Sequence, residues 1–394
     1  MLYFSLSPYL IKINYWYRWL LNSRDSEVQM SKLEKIPLLQ EIKHLLAHAA
    51  GKYFVHVRLV EGKLPDCDQS FRCLFAGKSH FTKWLESNTY SEPPTVIWQR
   101  RMYIPAFRSI VQSNPDAADL IVAVIPRQHE TKFEGLYHYK GTELVRQTIT
   151  TTGTWDEVRL QFSVRKRRTS NHIENKFGLK TRVSHDLKDL EFFYNRMYIP
   201  HIRKRHGEFA QIDTFEEQKR HFDKGMLMFT TKDDKVLAGN LCNIEDGILY
   251  LRRVGVLDGD ESLIEAGLQT AVYHFSIKYA NENNLRAADA MMSMPFLNDG
   301  VYNTKKEWGA TVSPSDDYNT WVYFINKGPY QKLMHFYAKH PFIAISENSM
   351  KGVVGETLGD SQTLEETLNR YRSRGLSGFH IHTKNGVTEI KETS

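Results

Sequence analysis

From Gly225 to Ala310 the alternation of apolar and polar positions is at its clearest. Met226–Thr231, Val236–Ile244 and Ile248–Arg253 are strand-length runs, separated by Lys232-Asp233-Asp234-Lys235 and by Glu245-Asp246-Gly247. Short polar turns between such runs predict an antiparallel meander. A loop, Val254–Glu261, follows. Leu263, Leu268, Ala271, Val272 and Phe275 then recur at helical spacing, which predicts a helix capped by Asp260 or Ser262 and running to about Asn283. Ala287–Met292 is a further strand. After it come a loop with Pro295, Asn298, Asp299 and Gly300, a short helix with Lys305 and Lys306 ahead of Trp308-Gly309, and a strand over Thr320–Ile325.

Upstream the pattern is less regular. Tyr53–Val60, Phe71–Ala76 and Leu120–Ile125 read as strands and Phe81–Asn88 as a short helix, a mixed α/β unit without a phosphate-loop or dinucleotide glycine motif. Ile36–Ala50 has helical periodicity and places Glu41, His44 and His48 on one face, where packing residues and a metal site are the two readings. Thr154 and Glu157 form a capping box that opens a helix toward Phe177 and carries the run Arg165–Arg168. Arg182-Val183 is strand-like. A helix from about Asp186 is expected to stop at Tyr198, ahead of Pro200, and Asp213 with Glu216 to open another before Gly225. In the tail, Thr363–Arg374 reads as a helix and Phe379–Lys391 as a hairpin about Lys384-Asn385-Gly386, with His380 and His382 on one strand face. Arg101–Pro105 and Arg196–Pro200 both read RMYIP, 95 residues apart, either by chance or through duplication.

Composition narrows the picture. The 394 residues are 41% hydrophobic and 25% charged, ordinary for a globular chain with more than one core. The surplus of 52 basic over 46 acidic side chains gives +6, which suits an anionic ligand and equally a solvated lysine-rich surface. Three cysteines, Cys67, Cys73 and Cys242, form neither a disulfide framework nor a metal pattern and suit a reducing cytoplasm. Residues 1–21 are apolar but interrupted by Lys12 and Arg18, too broken for a spanning helix. They read as a peripheral anchor at the inner face of a membrane or as the product of an early start, with folding from Met30. Four segments are expected: 1–30, an N-terminal half over 31–152, a C-terminal domain over 153–340, and a helix and hairpin over 341–394.

A meander, a crossover helix and a returning strand place the third meander strand beside and parallel to Ala287–Met292. Where they part, a cleft opens with the helix N-terminus directed at it, a place for an anion. This arrangement, with Ser293, Pro295-Phe296-Leu297-Asn298-Asp299-Gly300, Lys305 and Trp308-Gly309-Ala310, resembles the Fem/CelD-like branch of the GNAT acyltransferases over about Thr154–Lys327. The resemblance implies an α/β (α+β) GNAT-like fold of two halves, the N-terminal one degenerate. It also implies transfer of an acyl or aminoacyl group to an amine, from an acyl-CoA, acyl-carrier protein or aminoacyl-tRNA donor, with no tightly bound cofactor and no metal. The loop Arg252-Arg253-Val254-Gly255-Val256 onward departs from the usual pyrophosphate pattern, which leaves the donor open.

Acyl transfer to an amine needs a proton acceptor, a stabilised oxyanion and two reactants held together. Asp299 is the first candidate for base, or else a turn residue, and Asp289 is the second carboxylate. Lys305 is a candidate for a donor phosphate or the oxyanion, or else a solvated lysine. Tyr250 is a proton donor to the leaving group, or else packing. Arg252 and Arg253 are donor-phosphate candidates, of which alternation lets only one face the ligand. Ser262, Ser293, Asn298, Arg168 and Arg203 complete the candidate donor- and substrate-binding set. The acceptor expected is a small molecule, such as a cell-envelope or sugar precursor. Two other readings are an inactive RNA-binding module using Arg165–Arg168 with Arg203, Lys204 and Arg205, and a scaffolding protein of an envelope operon.

Overall fold

The computed structural model describes residues 52–66, 69–207, 210–346, 349–356 and 364–391. Cys67, the 1–30 segment and the helix with Glu41, His44 and His48 lie outside them.

In chain order the elements are β1 (Phe54–Lys63), β2 (Ser70–Ala76), α1 (His80–Thr89), β3 (Thr95–Tyr103), α2 (Ile104–Ser113), β4 (Leu120–Pro126), β5 (Tyr139–Gly141), β6 (Val145–Thr150), α3 (Trp155–Leu160), α4 (Val164–Ile173), β7 (Lys180–Ser184), α5 (Leu187–Phe193), α6 (Ile199–His206), α7 (Phe215–Phe222), β8 (Gly225–Lys232), β9 (Lys235–Glu245), β10 (Ile248–Val256), α8 (Glu261–Glu265), α9 (Leu268–Glu282), β11 (Ala287–Ser293), α10 (Gly300–Glu307), β12 (Thr311–Pro314), β13 (Thr320–Asn326), α11 (Tyr330–Lys339), β14 (Phe342–Ser346), β15 (Ser349–Gly355), α12 (Leu364–Tyr371), β16 (Leu376–Thr383) and β17 (Gly386–Lys391). They build two sheets. The larger runs β17-β16-β15-β14-β5-β13-β4-β2-β1-β3, the smaller β12-β6-β11-β10-β9-β8-β7.

The sheets share a plan. In each, three antiparallel strands (β3-β1-β2 and β8-β9-β10) are followed by a parallel fourth (β4 and β11) and then an antiparallel fifth. The fifth strand comes from the other half of the chain: β13 pairs with β4, and β6 pairs with β11. The chain is thus a mixed α/β fold of two sheets built on one repeated plan, the arrangement of two similar halves that was expected. The exchange also corrects the expected boundaries. Residues 145–150 lie in the second sheet and 320–326 in the first, and the tail extends the first sheet through β14, whose Ile345 pairs with Lys140 of β5.

The meander forms as expected. Its turns close on Asp233-Asp234 and on Asp246-Gly247, all four with positive φ, the backbone that two-residue hairpins with native twist require. Three helices differ from expectation. The one opened by Thr154 ends at Leu160, and Ser163 caps a second over Val164–Ile173. The crossover helix is broken at Gly267 (φ +88), so Asp260 caps only the short α8. The helix from Leu187 does not stop before Pro200 but passes through a π turn, Tyr194–Tyr198, in which the Ile199 N–H reaches the Tyr194 carbonyl, and continues into α6 with Pro200 near its start. A smaller shift concerns α7, whose capping box is Thr214 with Glu217. The two RMYIP copies occupy different contexts, a strand-to-helix junction and this π turn.

Candidate active site

β10 and β11 are hydrogen-bonded only from Ile248–Ala287 to Tyr250–Asp289, and beyond that rung they part. Leu249 and Ala288 enter the core under α9. Alternation therefore puts Tyr250, Arg252 and Asp289 on the opposite face, at the mouth of the split. β10 has a bulge between Leu251 and Arg253, and β11 one between Asp289 and Met292, where Met291 takes φ +63. Bulges at this point re-aim side chains and end the pairing.

The centre of the site is Asp289. Its carboxylate is almost fully buried, accepts from Arg146 Nη1 at 2.7 Å and from the backbone N–H of Met291 at 2.7 Å. Arg146, on β6, also donates to Asp317 at 2.9 Å, and Ser315 Oγ donates to the same Asp317 oxygen at 2.9 Å. Burial opposes the Arg146 charge, and its bonds to the two carboxylates more than offset that, so its pKa is raised. Across the split, the Arg252 guanidinium lies 4.6 Å from the centre of the Tyr250 ring, and its Nε donates to Asn243. Burial lowers its pKa, opposed by Glu245, Tyr250 and Asp289. The Tyr250 hydroxyl has no partner among the described residues.

Lys305 is placed differently from expectation. It is neither solvated nor at the surface of the cleft. Its side chain is buried, and Nζ donates to the carbonyls of Met291 (3.2 Å) and Met292 (2.8 Å), the groups that the β11 bulge turns out of the ladder. Burial pulls its pKa down to about 7, against the raising effect of Asp289 and Asp299. Asp299 serves as N-cap of α10, its Oδ1 accepting from Tyr302 N at 2.8 Å.

The other candidates scatter. Arg253 is locked to Asp213 (2.5 Å) and to the carbonyl of Arg252, so Arg252 is the one that faces the split. Ser293 is buried and donates to Gln147 at 2.7 Å, while Asn298 is exposed and donates to the Lys339 carbonyl. Ser262 is exposed and bonds only its own cap, Asp260. Arg168 and Arg203 are exposed. The Arg165–Arg168 run presents no common face: Arg165 pairs with Glu307, and Lys166 is buried, bonded to Thr270, with its ammonium 5.3 Å from the Trp308 ring centre. His382 packs into the core against Tyr139 at 2.6 Å, and among the described residues no three His, Cys, Asp or Glu side chains converge as a metal site would need.

Sequence reasoning missed Arg146 and Asp317. Arg146 precedes the segment that carries the resemblance, Asp317 lies past its Trp308-Gly309-Ala310 motif, and only the exchange of β6 brings Arg146 to Asp289. The N-terminus of α9 adds a cationic margin: Gly267 leaves its first N–H groups without a side-chain cap, and Arg205 on α6 donates to Gln269 in that first turn at 2.8 Å.

No protein-family model matches the chain, and no curated protein matches it. Solved structures similar to it include FemX (13% identity, covering 77% of this chain and 94% of that one, TM-score 0.38). Others are GCN5-related N-acetyltransferases from Sphaerobacter thermophilus (13%, 66% and 73%, TM-score 0.29) and Kribbella flavida (9%, 81% and 78%, TM-score 0.26). Among the described residues no helix is long and apolar enough to cross a membrane.

Proposed function

We propose that the protein is an acyltransferase that moves an acyl or aminoacyl group onto an amine at the β10/β11 split. The observation that supports it most is the last paired rung, Tyr250–Asp289, which sets a free phenol and a guanidinium on one strand against a buried carboxylate on the other.

In this reading the acceptor ammonium docks on the Asp289–Arg146–Asp317 chain and loses its proton there. The free amine attacks the acyl carbon, and Arg252 stabilises the oxyanion as the carbonyl π electrons move onto oxygen. When the intermediate collapses, the carbonyl re-forms, the bond to the leaving thiolate or alkoxide breaks and Tyr250 gives that group a proton, while the proton shed by the nitrogen as it becomes an amide returns to the tyrosinate. Lys305 acts through the backbone: by holding the Met291 and Met292 carbonyls it fixes the bulge that aims Asp289. Donor phosphates would lie at the uncapped N-terminus of α9 beside Arg205.

The donor class is tested by thermal shift with CoA, acetyl-CoA and charged and uncharged tRNA against wild type and Arg205→Ala. Free ligand at about a hundredfold excess over Kd stabilises by about 2.7 kcal/mol. A donor that stabilises wild type and not the variant supports the reading and names the class. Equal shifts in both would place donor binding elsewhere.

A further inference from the structure

A cavity of about 430 Å³ lies outside this site, in the N-terminal half. It opens where β2 and β4 part, the counterpart in the first sheet of the β10/β11 split in the second. Gly77, leaving β2 with φ +105, lets the chain pass against β4: a Cβ there would stand 3.0 Å from Val124 Cβ and 3.2 Å from the Val124 carbonyl oxygen. The walls carry one acidic and two basic side chains that make no ion pair among the described residues. Glu143 is 5% exposed and lines the cavity, and its one hydrogen bond is from Thr320 Oγ1 at 2.6 Å. Lys78 and Arg101 line the same cavity from exposed positions. None of the three makes an ion pair among the described residues, and Arg101 only stacks on Phe54 at 5.3 Å.

Glu143 has no lysine or arginine partner among the described residues, and the titratable base its charge reaches is the His80 imidazole, whose pKa burial lowers first and Glu143 raises; a ligand ammonium on this buried carboxylate supplies the full positive charge it lacks. Two cations at the mouth without acidic partners call for an anion. The geometry points to a binding site for a small zwitterion, its ammonium on Glu143 and its carboxylate or phosphate on Lys78 and Arg101. Ser79 already caps α1, so the anion is left to the side chains and not to the helix end. The inference stands on this cavity and does not depend on the acyl-transfer reading.

The test is titration calorimetry on the full chain with two zwitterions, 6-aminohexanoate and phosphoethanolamine. Hexanoate and inorganic phosphate serve as anion-only probes, and hexylamine as the cation-only probe. At least one zwitterion is expected to bind about tenfold or more tighter than either half-probe. Glu143→Gln should abolish that preference, and the surface double variant Lys78→Ala with Arg101→Ala should weaken zwitterion and anion alike. Should Glu143→Gln fail to fold, the double variant decides alone. An anion that binds as tightly as its zwitterion, variants that bind like wild type, or no zwitterion binding at millimolar concentration would each overturn the assignment.

Discussion

Arg146 and Asp289 meet at 2.7 Å across 143 positions of sequence, one on a strand that the first half of the chain lends to the second sheet. The pair joins the architecture to the site, because the carboxylate is buried only where the exchanged strand brings its partner. Arg146→Leu would leave the Asp289 charge uncompensated and is expected to cost about 3 kcal/mol. Arg146→Leu with Asp289→Leu should cost less than Arg146→Leu alone. Urea denaturation of the two variants checks this, and a double variant less stable than Arg146→Leu would show that the pair is not the unit of stability.

Lys305 gives a pH signature. Its folded pKa of about 7 lies below the ordinary value near 10.4, so between them the unfolded chain binds a proton that the folded chain does not. Stability from this group is therefore lowest below pH 7 and rises as pH climbs toward 10, by about 1.4 kcal/mol per unit. Lys305→Met keeps the bulk and removes the titration. The stability difference between wild type and Lys305→Met should thus shift in favour of wild type from pH 7 to 9.5, measured by chemical denaturation. A difference flat with pH would mean the ammonium keeps its charge in the fold.

Gly309, in the Trp308-Gly309-Ala310 stretch, has φ +77, and a Cβ on it would stand 2.5 Å from the Gln161 carbonyl oxygen. Gly309→Ala therefore combines a left-handed backbone with a clash against backbone and is expected to cost about 2 kcal/mol or more. A melting temperature within a degree of wild type would refute this.

Much of this fold was legible because its signals are local. The β8–β10 meander declares itself in alternation and in Asp233-Asp234 and Asp246-Gly247, and the capping box of Thr154 and Glu157 forms as read. Pro200 misled because the rule that helices end before proline is a local one, whereas here a π turn packed on Gly255 carries the chain through. A Cβ at Gly255 would lie 2.8 Å from Met197. The exchange of β6 and β13 is a long-range pairing with no local mark, which is why the domain boundaries and Arg146 went unread. That Asp289, Tyr250 and Arg252 share one face where two strands part was legible from alternation along two parallel strands. That Asp299 caps a helix and that Lys305 turns inward to backbone carbonyls depend on packing.

The central claim is that the face shared by Tyr250, Arg252 and Asp289 carries out acyl transfer. The direct measurement is steady-state turnover, with the donor that stabilises the protein and a panel of primary amines, product read by mass spectrometry. Wild type, Tyr250→Phe and Asp289→Asn are compared. The account predicts turnover by wild type, a fall in kcat of about a hundredfold or more in Tyr250→Phe with unchanged stability, and a comparable loss in Asp289→Asn. Full turnover in both variants would contradict it.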